Sequence, residues 1–364
     1  MASRRNFLAA AMGGLGFCGC SMRPTSARAA TAMRLPISVG GKKVRTVDTH
    51  SHCYFQDAID LMGEDAKKVL PPVKGVPQHF LAQDEVLRGR FAEMDAMGID
   101  MEVLSVNPFW YAKDQETAVK IVDLNNAHFA ALHAAHPDRL QAFASLTMQF
   151  PDLAVAQLDD AVRNKKLAGA AIGSSMNGLS FADPQFDKVW AKAEALGAVI
   201  FIHPISDPAM AKRFAGNGWL SNTIGNPLDT TICLEHFIFE GVLDRFPKLK
   251  VLAAHGGGYL GLFPDRGDHA CFVSPQNCNP NVVLKKQPSE YVKQIYFDAL
   301  VFTASNLQHL VDNVGAGQVV IGTDHPIPWE QNPVDHVLST KTLSDAQKIA
   351  ILGENAARLL KTAV

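Results

Sequence analysis

Short apolar runs alternate along the chain with longer segments in which apolar positions recur every three or four residues. The runs are Val44–Asp48, Met101–Val106, Leu140–Leu146, Ala168–Gly173, Val199–His203, Lys250–His255, Ile295–Ala299 and Gln318–Thr323. Their near-continuous hydrophobicity is that of strands buried on both faces. The intervening segments predict helices over Asp84–Ala96, Asp114–His136, Leu153–Asn164, Asp183–Leu196, Asp229–Phe246 and Ser344–Leu360. Gly197 reads as a helix C-cap and Ser344 as an N-cap, while Pro137 and Pro247 stop the helices before them. Eight buried strands separated by helices predict an α/β fold, with a (β/α)8 TIM barrel as the simplest arrangement. The less periodic stretch Gln56–Gln83 predicts a short insertion after strand 1, over the barrel mouth. Val273–Pro288 predicts a second irregular segment.

Composition fits that picture. The chain has 364 residues, is 47% hydrophobic and carries a formal net charge of −2, so a sizeable core is available and nothing favours nucleic acid as a partner. The N-terminus reads differently. Arg4-Arg5 precedes an apolar Ala/Gly-rich run and the small-residue site Ala27-Arg28-Ala29, which predicts a twin-arginine export signal over 1–29 and a periplasmic or otherwise exported location. An N-terminal extension over 30–43 and a barrel domain over 44–364 complete the expected organisation. No later stretch is long and apolar enough to span a membrane. Four of the six cysteines lie outside the leader: Cys53, Cys233, Cys271 and Cys278. None forms a CxxC pair, which argues against a thiolate zinc site. Cys271 and Cys278 are spaced to permit a bridge, but buried or free thiols are the expectation.

The chemistry gathers at strand ends. Val47-Asp48-Thr49-His50-Ser51-His52 places two histidines at i and i+2, so both imidazoles point to one side, here the barrel interior. Converging neutral imidazoles suit a divalent metal. Phe201-Ile202-His203-Pro204, Ala254-His255-Gly256-Gly257-Gly258 and Gly322-Thr323-Asp324 end three further strands. Strand C-termini of a barrel open on one mouth, so His50, His52, His203, His255 and Asp324 are expected to meet there.

These motifs, with Phe91-Ala92-Glu93-Met94-Asp95, His136-Pro137-Asp138-Arg139, Gly225-Asn226-Pro227-Leu228-Asp229, Phe246-Pro247-Lys248-Leu249-Lys250 and His325-Pro326, resemble the amidohydrolase superfamily. The branch they resemble contains 2-amino-3-carboxymuconate-6-semialdehyde decarboxylase and related aromatic-acid decarboxylases. The resemblance implies His50, His52, His203 and Asp324 as ligands of one divalent metal, Zn2+ first with Mn2+ as the alternative. It implies His255 as the acid/base, with Asp324 assisting. Arg266 would reach the substrate carboxylate of a neighbouring subunit in a homodimer, and Asp298 would support the site from behind. Three histidines and one carboxylate leave a position open for water, whose pKa the metal lowers. The fourth strand, Ala168–Gly173, lacks the lysine that binuclear relatives carboxylate, which favours one metal.

The implied activity is a metal-dependent decarboxylase acting on an unsaturated or aromatic carboxylic acid, a small-molecule carboxylate. The alternative is a hydrolase of a lactone, ester or amide on the same site; a metal-binding protein without activity ranks third. Some positions depart from the pattern. Ile205-Ser206 replaces a Trp-Asp pair, and no second carboxylate-binding arginine is evident, Arg88 and Arg90 reading as helix-surface charges. His325 is expected to line the pocket, and Trp110, Trp219 and Trp329 to wall it or sit in the core.

Overall fold

In the computed structural model, residues 36–68, 84–205, 208–278 and 280–361 are described. The expected leader over 1–29, the start of the extension (30–35), the later half of the insertion (69–83) and Ser206 lie outside them.

The first strands make a hairpin, β1 (Ile37–Val39) against β2 (Lys42–Val44), followed by the barrel strand β3 (Val47–His52). The single expected run Val44–Asp48 therefore divides at the Arg45-Thr46 step. The remaining barrel strands are β4 (Met101–Ser105), β5 (Leu140–Ala144), β6 (Gly169–Ile172), β9 (Val199–Ile202), β10 (Lys250–Ala253), β11 (Ile295–Asp298) and β12 (Val319–Val320). A small hairpin, β7 (Ser175–Met176) with β8 (Leu179–Ser180), follows β6. All eight barrel strands pair in parallel. Bridges from Asp48 to Ile321 and from Ser51 to His325 close the ring between β12 and β3.

The helices in chain order are α1 (Gln56–Asp60), α2 (Asp84–Met97), α3 (Gln115–Ala135), α4 (Pro151–Arg163), α5 (Asp187–Leu196), α6 (Asn226–Phe239) and α7 (Val242–Arg245). After them come α8 (Asp265–Val273), α9 (Pro275–Cys278), α10 (Ala304–Val314), α11 (Pro333–Ser339), α12 (Asp345–Ile349) and α13 (Asn355–Leu360). The expected helix Asp229–Phe246 is two, broken at Gly241, whose φ of 70° ends α6. Ser344 caps α12 by accepting from Gln347 N, as its position predicted. Gly197 ends α5 in the left-handed conformation, also as predicted.

Inside the barrel, Val47, Met101, Val103, Phe143, Phe201, Leu252 and Val320 pack as one cluster, and Leu359 and Leu360 of α13 join it. That plug fills one end of the barrel and leaves the strand C-termini for chemistry. An irregularity of register in β3 between Asp48 and Ser51 adds one residue against β4. The extra residue reverses the inward and outward alternation. Val47 thus faces the interior low in the barrel, and His50 and His52 face it at the top.

Cys271 and Cys278 are joined by a disulfide, against the expectation of free thiols; α8 and α9 bring their Cα atoms to 4.9 Å. Cys53 and Cys233 are buried free thiols.

Candidate metal centre

The five expected residues meet at the top of the barrel. His50 and His52 come from β3, and His203 stands one residue past β9. His255 follows β10 in the turn held by Gly256–Gly258, and Asp324 lies beyond β12. Ring centroids of His50 are 5.2 Å from His52, 5.1 Å from His203 and 5.1 Å from His255. Asp324 Oδ1 lies 2.8 Å from His52 Nε2 and 3.3 Å from His50 Nε2, and Oδ2 lies 3.7 Å from His255 Nε2. One potential ligand atom from each of His50, His203, His255 and Asp324 falls within 4.8 Å of the others.

Each inner histidine is oriented through its far nitrogen. Nδ1 of His50 faces Asp298 Oδ2 at 2.7 Å. Nδ1 of His52 lies 3.0 Å from Ser105 Oγ, a hydroxyl that itself donates to the Ser51 carbonyl. Nδ1 of His203 faces the Pro204 carbonyl at 2.8 Å. Protons on Nδ1 leave the Nε2 lone pairs aimed at the shared centre, the arrangement of metal-bound imidazoles. Nε2 of His50 and His203 and Oδ1 of Asp324 are buried without a hydrogen-bond partner among the described residues. Buried polar atoms are seldom orphaned, so a cation at their focus accounts for all three. The residues fit a divalent metal.

The electrostatics agree. Burial first, then the neighbouring imidazoles, hold His203 well below the ordinary histidine range, and burial also lowers His52. Neutral imidazole is the ligating form. Burial works to raise Asp324, but His50, His255 and His52 overcome it and hold the carboxyl well below its usual range. Burial works to lower His50, but Asp324 and Asp298 outweigh it and raise it to about 10.

Asp298, the last residue of β11, does more than orient His50. Its Oδ2 accepts from His255 N at 2.8 Å, and its Oδ1 from Gly256 N at 2.8 Å. His255 and Asp324 both adopt positive φ, 55° and 62°. Non-glycine residues rarely do so unless their surroundings enforce it, and such positions cluster at functional sites.

A cavity of about 910 Å³ meets the cluster at His255. Arg266 lines it in the same chain as His255, together with Asn226, Leu228, Phe302 and Trp329. Trp110 is instead core, and Trp219 stacks on Trp329 with ring centroids 5.7 Å apart.

Two expectations fail on the other side of the barrel wall. Arg90 is not a surface charge but is only 4% exposed, with Nε 2.5 Å from Glu102 Oε2 and Nη1 donating to the His52 carbonyl at 2.8 Å. His325 does not line the pocket. Its Nδ1 lies 2.7 Å from Glu102 Oε1 and its Nε2 2.9 Å from Glu93 Oε2. Burial works to raise Glu102, but Arg90 and His325 outweigh it and bring the carboxyl down to about 2. The alternation Met101, Glu102, Val103 carried the signal for Glu102, because a charge flanked by interior residues must face a partner behind the strand.

A parallel eight-stranded barrel with three histidines and an aspartate converging at its strand ends defines a metal-binding barrel enzyme. The chain belongs to the amidohydrolase family, whose profile matches residues 47–362. It is 33% identical over 274 residues to 2-amino-3-carboxymuconate-6-semialdehyde decarboxylase from Dictyostelium discoideum, covering 74% of this chain and 75% of that one. It is 28% identical to gamma-resorcylate decarboxylase from Rhizobium radiobacter, covering 75% and 86%. A structure of 5-carboxyvanillate decarboxylase from Novosphingobium aromaticivorans, complexed with manganese, superposes with a TM-score of 0.78 at 18% identity over 87% of this chain and 96% of that one.

Proposed function

We propose that the chain decarboxylates an unsaturated or aromatic carboxylic acid with one divalent metal held by His50, His52, His203 and Asp324. The observation that carries this is the single cavity in which His255, at the edge of the metal cluster, and the cation Arg266 share apolar walls. Such a cavity accepts an apolar ring and holds its carboxylate at a defined end. Zn2+ suits three imidazoles and a carboxylate, and Mn2+ is the alternative that the manganese-bound neighbour supports.

The bound ion supplies a Lewis acid for the substrate's oxygens. The chain's own residues do the rest. Arg266 orients the acid, and Leu228, Phe302 and Trp329 exclude water from around it. When the carbon–carbon bond breaks, CO2 leaves and the bonding electrons stay on the ring carbon. His255 delivers a proton to that carbon. Its Nδ1 is buried with no hydrogen-bond partner among the described residues, so the ring is not committed elsewhere through that nitrogen.

Export through the 1–29 leader completes the proposal, with the Cys271–Cys278 bridge as support, since such bonds persist in oxidising compartments. A second copy of the chain would cover the exposed, stacked Tyr259 and Phe263 that follow the His255 turn.

The test is CO2 release by metal-loaded protein from hydroxybenzoates and carboxymuconate-like acids. CO2 and the decarboxylated product are expected in equal amounts from at least one acid. His255→Asn should keep its metal and lose roughly 100-fold or more in turnover. Protein that leaves every acid intact yet cleaves esters or lactones would reverse the assignment in favour of the hydrolase.

A further inference from the structure

Behind the barrel wall lies a group of charges that binds neither the cavity nor the centre. Met101 and Val103 belong to the barrel interior, so Glu102 between them faces outward, toward α2. It is fully buried and splits its two oxygens between Arg90 of α2 and His325 of the β12 loop. Burying charges costs several kcal/mol per ion before pairing, and apolar residues of the same volume would pack without that cost. What the charges touch next gives them a use.

Arg90 Nη1 donates to the carbonyl of His52. The N–H of His52 donates to the carbonyl of His325 at 2.7 Å. Both peptide groups of His52 are thus held by this network, one by a side chain and one by backbone. His325 is the immediate neighbour of Asp324, so a fixed imidazole there fixes the peptide that carries Asp324. The seam between β12 and β3 has no regular ladder: isolated bridges at Asp48 and Ser51 join it, with Thr49 N donating to the Ile321 carbonyl and Thr323 N and Asp324 N both donating to the His50 carbonyl. The network spans that seam, and His52 and Asp324 stand on its two sides.

We propose that Arg90, Glu102 and His325 form a positioning network in which Glu102 is the hub, setting the distance between His52 and Asp324 across the β12–β3 seam. This rests on the assignment of those two residues as metal ligands. The network touches no substrate; it acts through the two ligands.

Two variants test it. Glu102→Gln keeps the side chain's size and removes the charge that serves both partners. His325→Asn breaks the link to the Asp324 side and leaves the Arg90–Glu102 pair intact. Divalent-ion dissociation constants are measured by chelator competition with Zn2+ and Mn2+, Mn2+ spectra by electron paramagnetic resonance, and metal-free melting by circular dichroism. Each variant is expected to weaken ion binding about 10–100-fold and to change the Mn2+ spectrum while melting as a folded protein. Folded variants with dissociation constants within about twofold of the parent and an unchanged spectrum would overturn the proposal. Should Glu102→Gln fail to fold, His325→Asn decides on the same criteria. A parent protein that binds neither ion would remove the metal assignment itself, a result distinct from unaffected variants.

Discussion

Asp298 shows how one side chain serves several demands. Its carboxylate holds His50 from behind and accepts the N–H groups of His255 and Gly256. Burial alone would raise its pKa, but hydrogen bonding and the charge of His50 prevail and keep it ionised. Asp298→Asn keeps the shape but places an amide where the charge stood. The Nδ1 proton of His50 then loses its anionic partner, so the imidazole is freer to turn its proton toward the metal. Metal retained after dialysis, measured by elemental analysis, is expected to correspond to about 10–100-fold weaker binding. His255 should be displaced with it, since the same carboxylate secures its backbone. Unaltered metal content would mean that the protein around His50 orients it without this contact.

At the scale of elements, the turn after β10 is the most constrained piece of backbone near the site. Gly256, Gly257 and Gly258 take φ of 62°, 71° and 61°. A Cβ on Gly258 would collide with the Pro227 carbonyl and lie 2.6 Å from Thr231 Oγ1, both in α6. Gly258, at φ 61° and ψ −129°, holds a backbone conformation that residues with a Cβ seldom adopt, so Gly258→Ala combines a strain of about 1–3 kcal/mol with a clash against a helix. The unfolding free energy obtained from thermal melting should fall by at least that amount, and His255 should lose its position. An unchanged melting point would show that α6 yields easily.

The same elements explain what the sequence could and could not reveal. Eight continuous apolar runs placed every barrel strand, because burial on both faces leaves little choice of residue. His50, His52, His203, His255 and Asp324 were legible because each follows or ends such a run, and strand ends share one mouth. The division at Arg45-Thr46 was not, since a hairpin strand and a barrel strand are nearly contiguous there. Arg90 and His325 were misplaced for a related reason. Helix periodicity marks apolar positions, whereas Arg90 is buried through its charge and His325 sits in the loop after β12, and the partner of both, Glu102, lies on β4. The Cys271–Cys278 bridge depended on how α8 and α9 meet, which spacing alone leaves open.

For the molecule as a whole, the remaining question is where it works, and the disulfide offers a handle. No helix among the described residues is long and apolar enough to cross a membrane, and the proposed export leader over 1–29 is the element to test for transport. A twin-arginine route carries chains that have already folded, and the barrel is compatible with that order of events. Cys271 and Cys278 sit in α8 and α9, neither of which has a buried residue. Their thiols therefore stay accessible after the core has closed, and oxidation can follow translocation without unfolding. Replacing both leader arginines, Arg4→Lys with Arg5→Lys, is expected to leave the protein in the cytoplasm with these two thiols reduced. The parent chain should appear in the periplasmic fraction with the pair resistant to thiol labelling, and should size as a dimer by light scattering. A parent chain that stays cytoplasmic, with both thiols open to labelling, would remove the case for export and leave the barrel's metal chemistry untouched.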